Sequence, residues 1–127
     1  MKKVLGLGGI FFKSKDPVAL NEWYRIHLGI NNEGWGALFP LNKLNEDVKD
    51  GYQLWSPFKD DTTYFKPSEQ SFMINFIVHD LTALLAELKS NGVDVMVKTE
   101  DGEYGKFGWC IDPEGNKIEL WEPPKKD

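Results

Sequence analysis

At 127 residues, 41% hydrophobic and 28% charged, the chain has the size and composition of one globular domain that folds without a disulfide or metal. Its net charge of −5, with no Lys/Arg run of useful length outside the Lys125-Lys126 tail, argues against a nucleic-acid partner. A single Cys110 excludes an internal disulfide, and the lack of a long apolar run or signal-like leader makes a cytoplasmic protein without membrane contact the expectation.

The first predicted element is a strand over 4–13, rich in β-branched and aromatic residues toward its end. Asp16-Pro17 then supplies an N-cap and a first-turn proline. The helix that follows reaches about Leu28, with Leu20, Trp23, Tyr24 and Leu28 on one face and Gly29 as its stop. Short strands are expected over 30–40, a loop over 41–50 and a strand over 51–57. Residues 58–70 read as a connection, charged, interrupted by Pro67 and without periodicity.

A strand over 71–78 opens the second half. Asp80 begins a helix whose apolar face is Leu81, Leu84, Leu85 and Leu88, and Gly92 ends it. Strands are expected over 93–97, 104–111 and 117–121. Between the last two, Asp112-Pro113-Glu114-Gly115-Asn116 has Pro and Gly where a tight hairpin turn needs them. Pro123-Pro124 close the fold and 125–127 form a loose tail.

The element order thus occurs twice, and the residues agree. Phe12, Asp16, Ala19 and Leu20 match Phe76, Asp80, Ala83 and Leu84 at one constant spacing. Gln53-Leu54-Trp55-Ser56-Pro57 likewise matches Glu119-Leu120-Trp121-Glu122-Pro123. Duplication accounts for both matches.

Three motifs carry a family resemblance. They are Phe11-Phe12-Lys13-Ser14-Lys15-Asp16-Pro17 running into Trp23-Tyr24 and Leu28-Gly29, then Val78-His79-Asp80-Leu81, and then Asp112 to Leu120. With these the chain resembles the vicinal oxygen chelate (VOC) superfamily, also called the glyoxalase/bleomycin-resistance/extradiol-dioxygenase superfamily. The resemblance implies an α+β fold of two tandem βαβββ modules whose curved mixed sheets form a cup. Module one would span about 1–57, a linker 58–70 and module two 71–124. It also implies a homodimer. It does not fix one reaction, because the superfamily includes both enzymes and non-catalytic antibiotic binders.

Strand alternation separates the face under the helices from the face lining the cup. Ile118 and Leu120 share one face of the last strand, Glu119 and Trp121 the other. Ile74, Phe76 and Val78 oppose Met73, Asn75 and Ile77. Pairing across the Asp112–Asn116 turn puts Trp109 near Glu119 and Phe107 near Trp121. The expected ligand-binding residues are therefore Phe11, Gln53, Trp55, Met73, Asn75, Phe107, Trp109 and Trp121, around Glu119. Tyr64 and Tyr104 are available to supply hydroxyls at the rim.

In metal-dependent relatives four positions converge, and the resemblance places them at Gly9, Gln53, Met73 and Glu119. Glycine has no ligating side chain, and a thioether suits Mg, Mn or Fe(II) poorly. No cofactor is expected, although a divalent metal at other ligands stays the alternative. His27 and His79 have no partner histidine at ligand spacing, and Cys110 reads as an apolar filler. Gly6-Leu7-Gly8-Gly9 does not complete a dinucleotide fingerprint.

Two functions remain. One is a metal-free binder of a small aromatic or amphipathic molecule. The other is a lyase or isomerase of the lactoylglutathione-lyase type, with Glu119 as base or metal ligand. An RNA-binding ferredoxin-like domain shares the coarse element order, but the acidic charge and the turn before Glu119 count against it.

Overall fold

The computed structural model describes residues 3, 5, 7–32, 34–48 and 50–125. Of the predicted first strand, Val4 and Gly6 lie outside these residues, as do Met1 and Lys2, and Lys126 and Asp127 of the tail.

Two aspartates start the long helices as their positions predict. The Asp16 carboxylate accepts from the Ala19 amide at 3.1 Å and opens α1 (Pro17–Leu28), which Gly29 ends at φ 66°. Asp80 accepts from the Ala83 amide at 3.1 Å and opens α3 (Leu81–Ser90). Each carboxylate satisfies an amide that the helix itself leaves without a partner. Glu122 accepts a further orphan donor, the Leu81 amide, at 2.9 Å.

Around α3 the second half forms β1 (Ile74–Ile77), β2 (Asp94–Val95), β3 (Glu100–Gly102), β4 (Gly105–Ile111) and β5 (Lys117–Glu122). They make one mixed five-stranded sheet. β1 runs parallel to β5, β5 antiparallel to β4, and β2 and β3 share the far side of β4. The expected register holds, with Trp109 opposite Glu119 and Phe107 opposite Trp121. Leu81, Leu85 and Leu88 of α3, with Leu20 and Tyr24 of α1, bury Ile74, Cys110, Ile118 and Leu120. Gly108 permits this close packing, since a Cβ there would lie 2.9 Å from a Leu85 methyl.

The first half departs from expectation. Among the described residues, the segments predicted as strands over 4–13, 30–40 and 51–57 carry no ladder, and 41–47, expected as loop, form the helix α2 (Leu41–Asp47). Strand propensity is realised only where a neighbour covers the pleated surface. Here Ile10, Phe11, Trp35, Leu38, Leu54 and Trp55 are all exposed. The class is α+β, and the second half alone displays the strand–helix–strands order as a sheet. No helix among the described residues is long and apolar enough to cross a membrane.

What ties the halves together is the turn at Asp112. Its Oδ1 accepts from the Glu114 and Asn116 amides, both at 2.9 Å. Its Oδ2 accepts from Asn116 Nδ2 and from the Tyr24 hydroxyl, both at 2.8 Å. Next to it, Glu114 accepts from Ser14 Oγ at 2.6 Å and from the Lys15 amide at 2.8 Å. The Ser14 hydroxyl is the main reason that the Glu114 carboxyl lies below its usual range, with the Lys15 amide second. Burial, then the Asp112 charge, pushes the Tyr24 phenol up, so it stays a donor. One five-residue turn thus holds both the helix α1 and the chain entering it.

Hydrogen bonds to buried charged groups contribute about 1.5–3 kcal/mol each when one partner is removed. Tyr24→Phe is expected to cost about 1–3 kcal/mol in urea unfolding, and Asp112→Ala about 3 kcal/mol or more. Because both remove the same contact, Tyr24→Phe should cost little in the Asp112→Ala background. Additive losses would show that the two groups act separately.

Candidate functional site

Alternation along β5 turns Lys117, Glu119 and Trp121 away from the helices, and their partners β4 and β1 add Phe107, Trp109, Asn75 and Ile77 to that face. Glu119 is at its centre and 7% exposed. Its carboxylate accepts from the Tyr64 hydroxyl at 3.2 Å, Asn75 Nδ2 at 3.2 Å and Trp109 Nε1 at 3.4 Å. Burial raises the Glu119 pKa, against the pull of these donors and of the Lys117 charge. Lys117 is itself buried, and its ammonium donates to the Tyr64 carbonyl at 2.5 Å. It lies 5.1 Å and 5.3 Å from the ring centroids of Tyr64 and Trp109. Burial lowers its pKa, partly offset by the charge of Glu119.

The segment 58–70 is therefore more than a connection. It crosses this face as a strap, with Tyr64 edge-on to Trp109 at 6.1 Å and Phe58 against Tyr64 and Phe65 at 5.6 Å and 5.1 Å. Ser68 is buried at its far end. Three rings in an otherwise charged stretch were the available signal for it. Burial first, then the Glu119 charge, pushes the Tyr64 phenol up, so Tyr64 serves as a donor.

Beside the strap the face continues into a cavity of about 180 Å³. Trp121, Tyr52, Tyr104 and Ile77 line it, with Glu103 and Asp50. Trp121 is fixed on several sides. It stacks on Phe107 at 6.0 Å and 4°, meets Tyr52 at 5.5 Å, and donates from Nε1 to the Tyr104 carbonyl at 2.6 Å. A second cavity, about 290 Å³, lies on the helix side among Leu28, Leu38, Phe39, Phe76, Leu84 and Leu120. It is separate from Glu119, because Phe76 and Leu120 belong to the opposite face of the sheet.

Of the residues expected at the site, Asn75, Phe107, Trp109, Glu119 and Trp121 come together. Met73 precedes β1, half-buried. Phe11 and Trp55 are 96% and 83% exposed, Gln53 is exposed, and no hydrogen bond or ring contact joins any of them to Glu119. Lys117 and Tyr52 take places on this face that were not assigned to them, while Tyr64 and Tyr104, expected at the rim, lie against Glu119 and among the residues lining the cavity. Cys110, 0% exposed, is the expected filler, its thiol pushed up to about 12 by burial and then by Asp112 and Asp94. His27 Nδ1 is buried without a hydrogen-bond partner, its ring 5.1 Å from Trp23, away from the strap.

The residues do not fit the metal centre that the family resemblance implies. Gly9 offers no side chain and Met73 a thioether, while Glu119 already accepts from three donors. A cation at Glu119 would displace those donors and face the Lys117 ammonium. Among the described residues no group of three or more His, Cys, Asp or Glu could hold a metal ion.

The raised pKa of Glu119 has a definite sign in stability. The folded chain holds this proton more tightly than the unfolded one, whose carboxyl titrates near about 4.3. Ionisation of Glu119 therefore costs stability above its folded pKa, and the cost is relieved as pH falls. Wild type should gain stability relative to Glu119→Gln between about pH 7 and pH 4 in parallel urea unfolding. A loss over that interval would contradict the burial argument.

No family model matches the chain, and no curated protein matches it. Among solved structures it is similar to a protein of unknown function from Agrobacterium tumefaciens str. C58, at 19% identity and a TM-score of 0.51, over 93% of this chain and 98% of that one. It is similar to the trypanothione-dependent glyoxalase I of Leishmania major at 26% identity and a TM-score of 0.34, over 51% of this chain. A conserved domain protein is similar over 42% of this chain, at 17% identity and a TM-score of 0.38. The chain spans 40% of the glyoxalase and 47% of the conserved domain protein. The likeness to the Agrobacterium protein runs nearly end to end and concerns the fold alone.

Proposed function

We propose that the protein is a glyoxalase/bleomycin-resistance-like binder that takes a small aromatic or amphipathic molecule beside Trp121, without a metal centre. The observation that carries this reading is the ring-lined cavity next to a carboxylate already committed to three donors. Rings with a few polar groups are how small-molecule sites are built. The first half contributes Tyr52 to the wall of this cavity. A homodimer belongs to the same reading, with Phe11 and Trp55 as rings left for a second copy to cover. So does a cytoplasmic location.

The second reading, a lyase or isomerase with Glu119 as base, has one observation in its favour. Burial moves the Glu119 pKa upward, which strengthens the carboxylate as a base. Against it, the strap lies over Glu119 and its oxygens are occupied.

A panel of small aromatic and amphipathic compounds, followed by Trp fluorescence and thermal shift, separates the two. A compound at about 100 times its Kd adds roughly 2.7 kcal/mol, or about 5–15 °C in Tm for a domain of this size. Tyr104→Leu should weaken such binding while Glu119→Gln leaves it within about threefold, since Glu119 lies under the strap. A panel without any response would remove the support for binding. Turnover that disappears in Glu119→Gln would favour the enzyme.

A further inference from the structure

The strap is tied to the sheet through one residue. Its backbone hydrogen bonds are turns within itself, from the Thr62 amide to the Lys59 carbonyl at 3.0 Å, Lys66 to Thr63 at 3.1 Å and Ser68 to Phe65 at 3.0 Å. Among the described residues, every hydrogen bond that leaves segment 58–70 belongs to Tyr64, whose hydroxyl donates to Glu119 and whose carbonyl accepts from Lys117. Burial is graded in the same sense. Glu119 and Lys117 are each 7% exposed and Trp109 is 3% exposed, whereas Tyr64 above them is half-buried and residues 58–61 are exposed. A segment without a ladder, held at its middle by two hydrogen bonds, opens at far smaller cost than the sheet beneath it.

Tyr64 also shows the chemistry of what it covers. Its ring stands edge-on to Trp109 at 6.1 Å and 84°, and its hydroxyl lies 3.2 Å from the Glu119 carboxylate. Its own carbonyl meets the Lys117 ammonium. Lys117 and Glu119 are two residues apart on one face of β5, so a single tyrosyl-sized group spans both. With the strap lifted, a carboxylate and an ammonium each lose a partner. A molecule that restores both contacts is then favoured over one that restores only one.

We propose that the strap is a displaceable cover and Tyr64 an internal stand-in for a ligand, a small phenol that also carries a carbonyl, with its hydroxyl on Glu119 and its carbonyl on Lys117. The closed strap is autoinhibitory, because an external phenol binds only the open fraction and its apparent affinity falls by that fraction. This site is separate from the cavity beside Trp121, so its failure leaves the function proposed above standing.

A matched pair of probes tests it by calorimetric titration of the full chain: N-acetyltyrosinamide reproduces both contacts, and N-acetylphenylalaninamide lacks only the hydroxyl. Tyr64→Phe removes one fastening and keeps the ring. It should bind the tyrosine amide severalfold more tightly than wild type does, and roughly tenfold more tightly than it binds the phenylalanine amide. Adding Glu119→Gln should narrow that preference severalfold. Acetylation of Lys117 by an amine-reactive ester, read by peptide mass, should also speed up severalfold in Tyr64→Phe, while the exposed Lys98 keeps its rate. A tyrosine amide that binds Tyr64→Phe no better than the phenylalanine amide does, or no better than it binds wild type, overturns the proposal. So does Lys117 acetylation that Tyr64→Phe leaves unchanged. Failure of both amides to bind Tyr64→Phe overturns it as well.

Discussion

The carboxylate of Asp112 accepts four hydrogen bonds, three from its own turn and one from Tyr24 in the first helix. A buried charge of this kind is tolerated only when its acceptor capacity is filled, and each donor then becomes hard to remove. The turn it closes sets the register of β4 against β5. That register puts Trp109 beside Glu119 and Phe107 beside Trp121. Through Tyr24, and through Glu114 reaching Ser14 and Lys15, the same turn holds α1 against the sheet. The core under the helices and the site on the opposite face thus depend on one hairpin.

The two faces of that hairpin are built differently. Toward the helices, Ile118, Leu120 and Cys110 are 0% exposed and purely apolar. On the other side, an acid and a lysine are buried among rings under the strap. Glu119 and Lys117 are not paired directly, and each is satisfied by Tyr64, through its hydroxyl and its carbonyl respectively. Tyr64 therefore fastens the strap at two points, and the charges that would be costly alone are what position it. The result is a face closed over Glu119, with a cavity beside the buried Trp121.

Much of this was legible wherever the signal was local. Asp16 and Asp80 as caps, Gly29 as a stop, and the Pro and Gly of the Asp112 turn each act within a few residues, so the helices and the last hairpin followed. Alternation then sorted Asn75, Phe107, Trp109, Glu119 and Trp121 onto one face. Alternation also places Lys117 there, although lysine is seldom buried. The strap was not legible, because Tyr64 is held by contacts across the chain and follows no period. The first-half strands failed for the opposite reason. Phe11, Leu54 and Trp55 have strand propensity, yet no neighbour covers them and no ladder forms. α2 was not legible, because Leu41 and Leu44 alone give its seven residues too short a period to distinguish from a polar loop.

The central claim is that the first half is held through the Asp112 turn and its hydrogen bonds, not through a strand ladder of its own. Amide hydrogen exchange on the intact protein tests it directly, since protection follows local hydrogen bonding and stability. The account predicts slow exchange for the amides of β4, β5, α3 and the Leu20–Tyr24 stretch of α1. It predicts fast exchange across 51–57 and 7–13. Protection of 51–57 equal to that of β5 would contradict it, for that segment would then be a strand in a ladder.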